Sequence, residues 1–287
     1  MSTIVVIAVL LAALMHASWN ALVKGGDDGW LTSAMIAGFA AAGALIVAVF
    51  FVPWPQAHHW PWLLGSGALH GIYFILLVSA YAYGDLGKVY AIARGSAPLI
   101  IVVLSAPLVG DVPGTWEIVA VLVVVAGVVA LTFEPGQIAT ADIKAVALAL
   151  LTGAMIAAYS LFDAVGIRTI GPEFEYATIV YVSWLMIFAA VPILAVAFFL
   201  RRGQILPYMR AHALQGIGGG AIAVTSYALV LFAFANASVG SVAALRETGV
   251  VFAALIGTLV LGERLGKRRI PAALLVAFGA GALKFAA

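Results

Sequence analysis

The sequence predicts an all-α membrane protein of about ten transmembrane helices, arranged as two five-helix repeats of inverted topology. Three features of the chain predict this. The 287 residues are 65% hydrophobic and 9% charged, with a mean hydropathy of +1.16. A soluble domain carries about 25% charged residues, so the solvent of this chain must be lipid. Polar or turn-rich breaks divide the chain into ten apolar runs, each near the roughly 20 residues that a span needs. Finally, residues 91–133 align with residues 243–285 without a gap, at an offset of 152.

The alignment places Arg94 on Arg246, Gly110 on Gly262, Asp111 on Glu263 and Gly114 on Gly266. Gly127 meets Gly279, Leu131 meets Leu283 and Phe133 meets Phe285. An apolar composition inflates chance matches among Ala, Leu and Ile, but it does not produce paired arginines or paired Gly-acid-x-x-Gly turns. Residues 1–133 are read as a first repeat, 134–143 as a connecting segment and 144–287 as a second repeat. Five is an odd number of spans, so the second repeat enters the membrane from the opposite side, about a pseudo-two-fold axis in the membrane plane.

The first helix is expected at 3–23; no charged segment precedes it, so it reads as a span and not as a cleaved signal. The second, 31–52, follows the polar break at Lys24–Trp30 and stops at Pro53. The third covers 60–83 and the fourth 88–109, ending at Gly110. Pro98 should loosen the fourth helix and free a carbonyl near Arg94. The fifth spans 115–133. The second repeat follows with 144–165, 175–200, 212–235, 239–261 and 270–286. Pro192 predicts a kink in the seventh helix, and Gly216–Gly220 predicts close packing or flexibility in the eighth.

Lys and Arg in short loops set orientation. With Arg94 and Arg246 set aside as embedded, one side collects Lys24, Lys88, Lys144, Arg201, Arg202, Arg210, Arg264, Lys267, Arg268 and Arg269. The other keeps only Arg168 and Lys284. The richer side is predicted to be cytoplasmic, which puts both termini outside. The loop Val52–Trp62 then becomes an external interfacial loop.

Arg94 and Arg246 each lie roughly 10 Å inside an apolar run, at 1.5 Å per residue. A charge at that depth normally faces a partner or a wet cavity. The repeat symmetry favours a shared cavity in which the two guanidiniums hold an anionic group, over snorkelling or a plain ion pair. Glu247 cannot share the face of Arg246; it pairs with another helix or takes a proton, so it is a candidate coupling residue. His16, Trp19 and Asn20 form one polar face of the first helix. His70 and Tyr73 belong to a polar-aromatic stripe on the third, with Phe74, Leu77 and Tyr81. Tyr159 and Asp163 share a face of the sixth, and Tyr227 lies in the middle of the eighth. Together they read as the lining of a cavity. Asp163, a second candidate coupling residue, falls near the expected helix end, where it would be interfacial.

The absence of cysteine excludes disulfides, thiolate metal sites and cysteine nucleophiles. The net charge of +2 does not suggest nucleic acid. No metal is expected: His16 and His70 lie on different helices, and adjacent His58 and His59 should point in different directions beside Trp60. No cofactor-binding or ATP-binding loop and no acid–base set of an enzyme is present. The expected partners are a small-molecule substrate and the bilayer, with coupling to protons or a counter-substrate, in a monomer or a homodimer.

The doubled five-helix unit, the turns Gly110–Asp111 and Gly262–Glu263–Arg264–Leu265, and His16–Ala17–Ser18–Trp19–Asn20 resemble the drug/metabolite transporter superfamily, in its ten-helix EamA branch. The resemblance covers the whole chain. It implies that helices one, three, four, six, eight and nine surround a central cavity, which places Trp19, His70, Tyr73, Arg94, Tyr159, Tyr227 and Arg246 on cavity-lining helices. It implies a secondary transporter of the bacterial inner membrane for amino acids or other small metabolites. Most members keep their termini inside and export; the loop charges here predict the reverse. The His-Ala-Ser-Trp-Asn opening is also similar to a subgroup associated with phosphonate use, for which the direction would be uptake. A lipid-headgroup-handling protein without soluble transport is the alternative.

Overall fold

A computed structural model describes residues 1–81, 86–132, 143–259 and 269–286, and among them there is no strand. In chain order the helices are α1 (Thr3–Lys24), α2 (Gly29–Phe50), α3 (Trp60–Tyr81), α4 (Leu86–Val109), α5 (Thr115–Thr132) and α6 (Ile143–Ile170). They continue with α7 (Ala177–Leu200), α8 (Ile205–Ala211), α9 (Ala213–Asn236), α10 (Val239–Arg246), α11 (Thr248–Leu259) and α12 (Arg269–Ala286). Among the described residues eight segments are long and apolar enough to cross a membrane, and Thr115–Leu131 and Ile270–Ala286 are shorter apolar helices. The chain is therefore an all-α, multi-pass membrane protein. Its outward surface is lipid-like: Phe50, Leu274 and Phe278 are all more than 60% exposed, while the interior is built of Ala, Val, Leu and a few aromatic rings.

Two elements depart from the sequence reading. The sixth helix runs to Ile170 instead of ending near 165, because Arg168 near its end is held by partners and does not mark a loop. Asp163 is consequently not interfacial: it is 0% exposed and lies about 10 Å inside that end, at 1.5 Å per residue. The expected ninth helix is two helices, α10 and α11, interrupted at Glu247. There the ladder tightens: the Glu247 N–H donates to the Ala244 carbonyl at 3.0 Å, and the Val250 N–H to the Glu247 carbonyl at 3.0 Å. The Thr248 hydroxyl donates to the Leu245 carbonyl at 2.8 Å, which satisfies a group that lipid would not. The turn at Gly262–Leu265, the break at Gly84 and nearly all of the connecting segment lie outside the described residues.

Close approaches fix the packing. A Cβ on Gly127 of α5 would lie 2.8 Å from the Val276 backbone nitrogen, and one on Gly279 of α12 would lie 2.9 Å from that of Val124. The seam is reciprocal: an offset of 152 carries Gly127 onto Gly279 and Val124 onto Val276. The run Gly216–Gly220 sits in a continuous α9, where a Cβ on Gly220 would lie 2.8 Å from the Ala40 nitrogen of α2. Of the two roles the sequence allowed for that run, close packing is the one it plays. Pro192 of α7 packs onto Gly71 of α3.

Each end of the bundle carries a polar clasp. At one end Gly110 takes φ +81, and the following Asp111 receives Arg168 in a two-pronged pair, Nη1–Oδ1 at 2.8 Å and Nη2–Oδ2 at 3.0 Å. The same guanidinium donates to the carbonyls of Phe234 (2.9 Å) and Ala237 (2.8 Å), and Asp111 accepts the Val239 N–H at 2.9 Å. One residue pair thus joins the α4–α5 turn, α6, the end of α9 and the start of α10. Glu117, also buried, accepts hydrogen bonds from Ser238 and from Ser241 (2.6 Å) on the first turn of α10. Both chain ends lie here, since the Met1 ammonium donates to the Lys284 carbonyl at 3.2 Å.

At the opposite end Asp28 caps α2 through the N–H groups of Trp30 and Leu31 and accepts the Arg201 Nε–H at 2.7 Å. Burial pushes the Asp28 carboxyl up, but the Arg201 hydrogen bond and charge and the two capping amides outweigh it and hold the group below its usual value.

Candidate substrate-binding site

The interior between α1, α3, α4, α6, α9 and the α10–α11 break collects the polar residues expected there. Arg94 and Arg246 are 5% and 8% exposed, so neither reaches toward lipid or bulk water. Their surroundings differ. The Arg94 Nε–H donates to Glu247 Oε2 at 3.0 Å, and its Nη2 reaches the Arg246 carbonyl at 3.5 Å. Arg94 therefore closes the break between α10 and α11 with both charge and hydrogen bonds. Arg246, the last residue of α10, places its guanidinium 5.9 Å from the centroid of the Tyr227 ring. Among the described residues no carboxylate lies within 4 Å of it.

Aromatic side chains wall the space beside Arg246. His70 of α3 stacks on Tyr159 of α6 at 4.1 Å, and meets Tyr227 edge-on at 5.4 Å. Tyr73 meets Tyr159 edge-on at 5.6 Å. Tyr159 is buried, whereas His70, Tyr73 and Tyr227 are half-buried. The Ser66 carbonyl lies 2.9 Å from His70 Nδ1, which fixes the ring orientation.

Asp163 sits behind this wall. Tyr181 of α7 donates to its Oδ1 at 2.9 Å, and Tyr227 donates to its Oδ2. Tyr181, wholly buried, was missed from sequence because it falls in a long apolar run with no charged residue at helical spacing. Glu117 and its serine partners were missed as well, although a lone acid inside the apolar fifth helix was visible.

The first helix contributes unevenly. His16 lies in the electrostatic field of both arginines. Trp19 packs edge-on against His16 at 5.0 Å, and Asn20 spends its amide on the His16 carbonyl at 2.7 Å. Trp19 and Asn20 thus adjoin the cluster through His16. Tyr81 and Lys88 carry no described side chain.

A second polar group lies apart, at the end bearing the termini. His58 Nε2 is 2.8 Å from Glu173 Oε1, and His59 Nε2 is 3.2 Å from Glu173 Oε2. The two rings lie 4.1 Å apart and converge on one carboxylate, which corrects the expectation that they point in different directions. The Gln56 N–H donates to His59 Nδ1 at 3.1 Å, so a neutral His59 carries its proton on the Nε2 that faces Glu173. In that tautomer the Nε2 lone pair that a metal would need is occupied.

Residues 143–283 match the model of the EamA-like transporter family. A solved chain described only as a crystal structure of a protein superposes with a TM-score of 0.74 over 99% of both chains, at 19% identity. That likeness is one of fold. No curated protein matches the sequence.

Proposed function

From the match of residues 143–283 to the EamA-like transporter family, we propose that this chain is a secondary transporter for a small organic anion or zwitterion, working by alternating access across the bacterial inner membrane. Arg246 takes the anionic group. The observation that carries this reading is the buried guanidinium of Arg246, turned over an aromatic face, with no carboxylate of its own within 4 Å among the described residues. A buried charge left in that condition costs several kcal/mol unless a counter-ion arrives. Arg94 does not share the task equally, because Glu247 already engages it. His70, Tyr73, Tyr159 and Tyr227 shape the pocket wall, and His16 closes it from α1.

The two halves are read as inverted repeats, and the reciprocal α5–α12 seam supports this. The interruption at Glu247 also fits, because discontinuous helices at mid-membrane are a recurrent means of building transporter sites. The ten-to-two bias of loop cations puts both termini outside the cytoplasm. A reporter fused to the C-terminus should be active outside; activity confined to the cytoplasm reverses the orientation.

The test of function is a thermal-shift panel of glycine, lactate, methylphosphonate and methanesulfonate, followed by flux of any stabilising compound into proteoliposomes. A ligand present at 100 times its Kd stabilises by about 2.7 kcal/mol. Saturable flux that Arg246→Ala abolishes supports the proposal. Wild-type flux in that variant removes Arg246 from the role, and absence of flux for all four classes removes the anion reading.

A further inference from the structure

We propose that Asp163 is the proton-binding site of this protein, and that proton and anion load together. The inference rests on the transport reading for its second half, though not for the proton site itself. Asp163 is 0% exposed in the interior of α6, and among the described residues no Lys, Arg or His nitrogen lies within 4 Å of it. The groups that face it are phenols, a serine hydroxyl and an imidazole: Tyr181 from α7, Tyr227 from α9, His70 and Ser66 from α3, and Tyr159 from its own helix. Arg246 of α10 lies beyond the Tyr227 ring. A carboxylate so placed can be neutralised only by a proton.

The arrangement also says what the proton does. With Asp163 ionised, the Tyr227 O–H is committed to Oδ2. A proton arriving from water binds Oδ2, and the new acid O–H donates to the Tyr227 oxygen. No covalent bond other than this O–H forms. Tyr227 then turns its own hydrogen away from Asp163, toward the cavity, where it becomes a donor beside Arg246. Charge counting agrees. Arg94, Arg246, Glu247 and Asp163 sum to zero when both acids are ionised and both histidines are neutral imidazoles. Protonated Asp163 leaves one positive charge, which a monovalent anion balances. Glu247 is not the equivalent site, because Arg94 holds it at 3.0 Å.

The test is pH-difference infrared spectroscopy on the full-length protein in liposomes, with no substrate added. The wild type should show the C=O stretch of a protonated carboxyl, absent in Asp163→Asn and retained in Glu247→Gln. No such band in the wild type, its survival in Asp163→Asn, or its loss in Glu247→Gln overturns the proposal. If Asp163→Asn does not fold, Tyr227→Phe decides. That variant removes one hydrogen-bond partner and should move the band to higher frequency, and an unmoved band overturns the assignment. Joint loading is read separately, with lactate and methylphosphonate. Their apparent affinity should rise by up to about tenfold per unit fall in pH, and Asp163→Asn should flatten that slope. A pH-independent affinity in the wild type overturns joint loading. The infrared band without binding of any panel compound leaves the proton site standing and removes the anion reading.

Discussion

The two arginine centres of this molecule follow opposite rules. Arg168, at the end that carries the termini, spends its guanidinium on four acceptors, two carboxylate oxygens and two helix-end carbonyls. Arg246, in the interior, meets the face of a tyrosine and has no carboxylate within 4 Å among the described residues. Both sit where lipid makes unpaired charge costly. The saturated centre can only hold elements together. On the proposed reading the second leaves capacity for something that is not part of the chain, and Arg94 falls between them, engaged by Glu247 and by the Arg246 carbonyl. If Arg246 binds the anion as proposed, saturation, rather than burial or charge, separates structural from functional cations here.

Substitutions sharpen that contrast. The largest expected effect is at the saturated centre. Arg168→Ala leaves Asp111 without its partner and strips two carbonyls; the pair is partly exposed, so the loss lies near the low end for buried pairs, about 3 kcal/mol. It should appear as a lower melting temperature and a poor yield of folded protein. Arg246→Ala should do the reverse: melting within a degree or two of wild type, but flux down about 100-fold, equivalent to about 2.7 kcal/mol. If Arg246→Ala destabilises as much as Arg168→Ala, the distinction between the centres fails. Arg94→Gln should lie between, losing about 2 kcal/mol of stability because Glu247 is left without its cation, and losing flux as well.

The smallest effect is at Asp28. Its carboxyl is held below the usual range, so its contribution is present above the unfolded value of about 3.9 and is lost as pH falls through the lower folded value. The pair with Arg201 is partly exposed, so its worth is at most about 1 kcal/mol. The melting difference between wild type and Asp28→Asn should be constant near neutrality and vanish in strong acid; a difference that grows on acidification contradicts the sign.

Much of this architecture was legible in the residues. Apolar runs and their breaks located the membrane helices, eight of them long enough to span among the described residues, because lipid forces every span to be a helix of a set length. Depth in the chain identified Arg94 and Arg246 as buried, and helical spacing grouped Tyr159 with Asp163. Spacing within one helix says nothing about which helix is opposite. The pairing of Arg94 with Glu247, the Tyr181 partner of Asp163 and the meeting of His58, His59 and Glu173 all depend on contacts between distant segments. The reach of α6 beyond 165 was hidden for the same reason: Arg168 reads as a loop charge until Asp111 is seen across from it. The interruption at Glu247 carries no Pro and no strong Gly signal at its centre, so hydropathy alone ran straight through it.

That interruption has a consequence for how the pocket can change over evolutionary time. Arg246 and Glu247 owe their positions to a fault in the peptide ladder, closed by Thr248 on one carbonyl and by Arg94 on the next. Sliding the anion-accepting group a turn toward either leaflet would require relocating the fault and both of its closures together. Wall residues such as Tyr73 can be exchanged one at a time. If Arg246 receives the cargo as proposed, the depth of the site is anchored in main chain while its selectivity remains open to drift, so relatives of this protein would diverge in cargo sooner than in where that cargo rests.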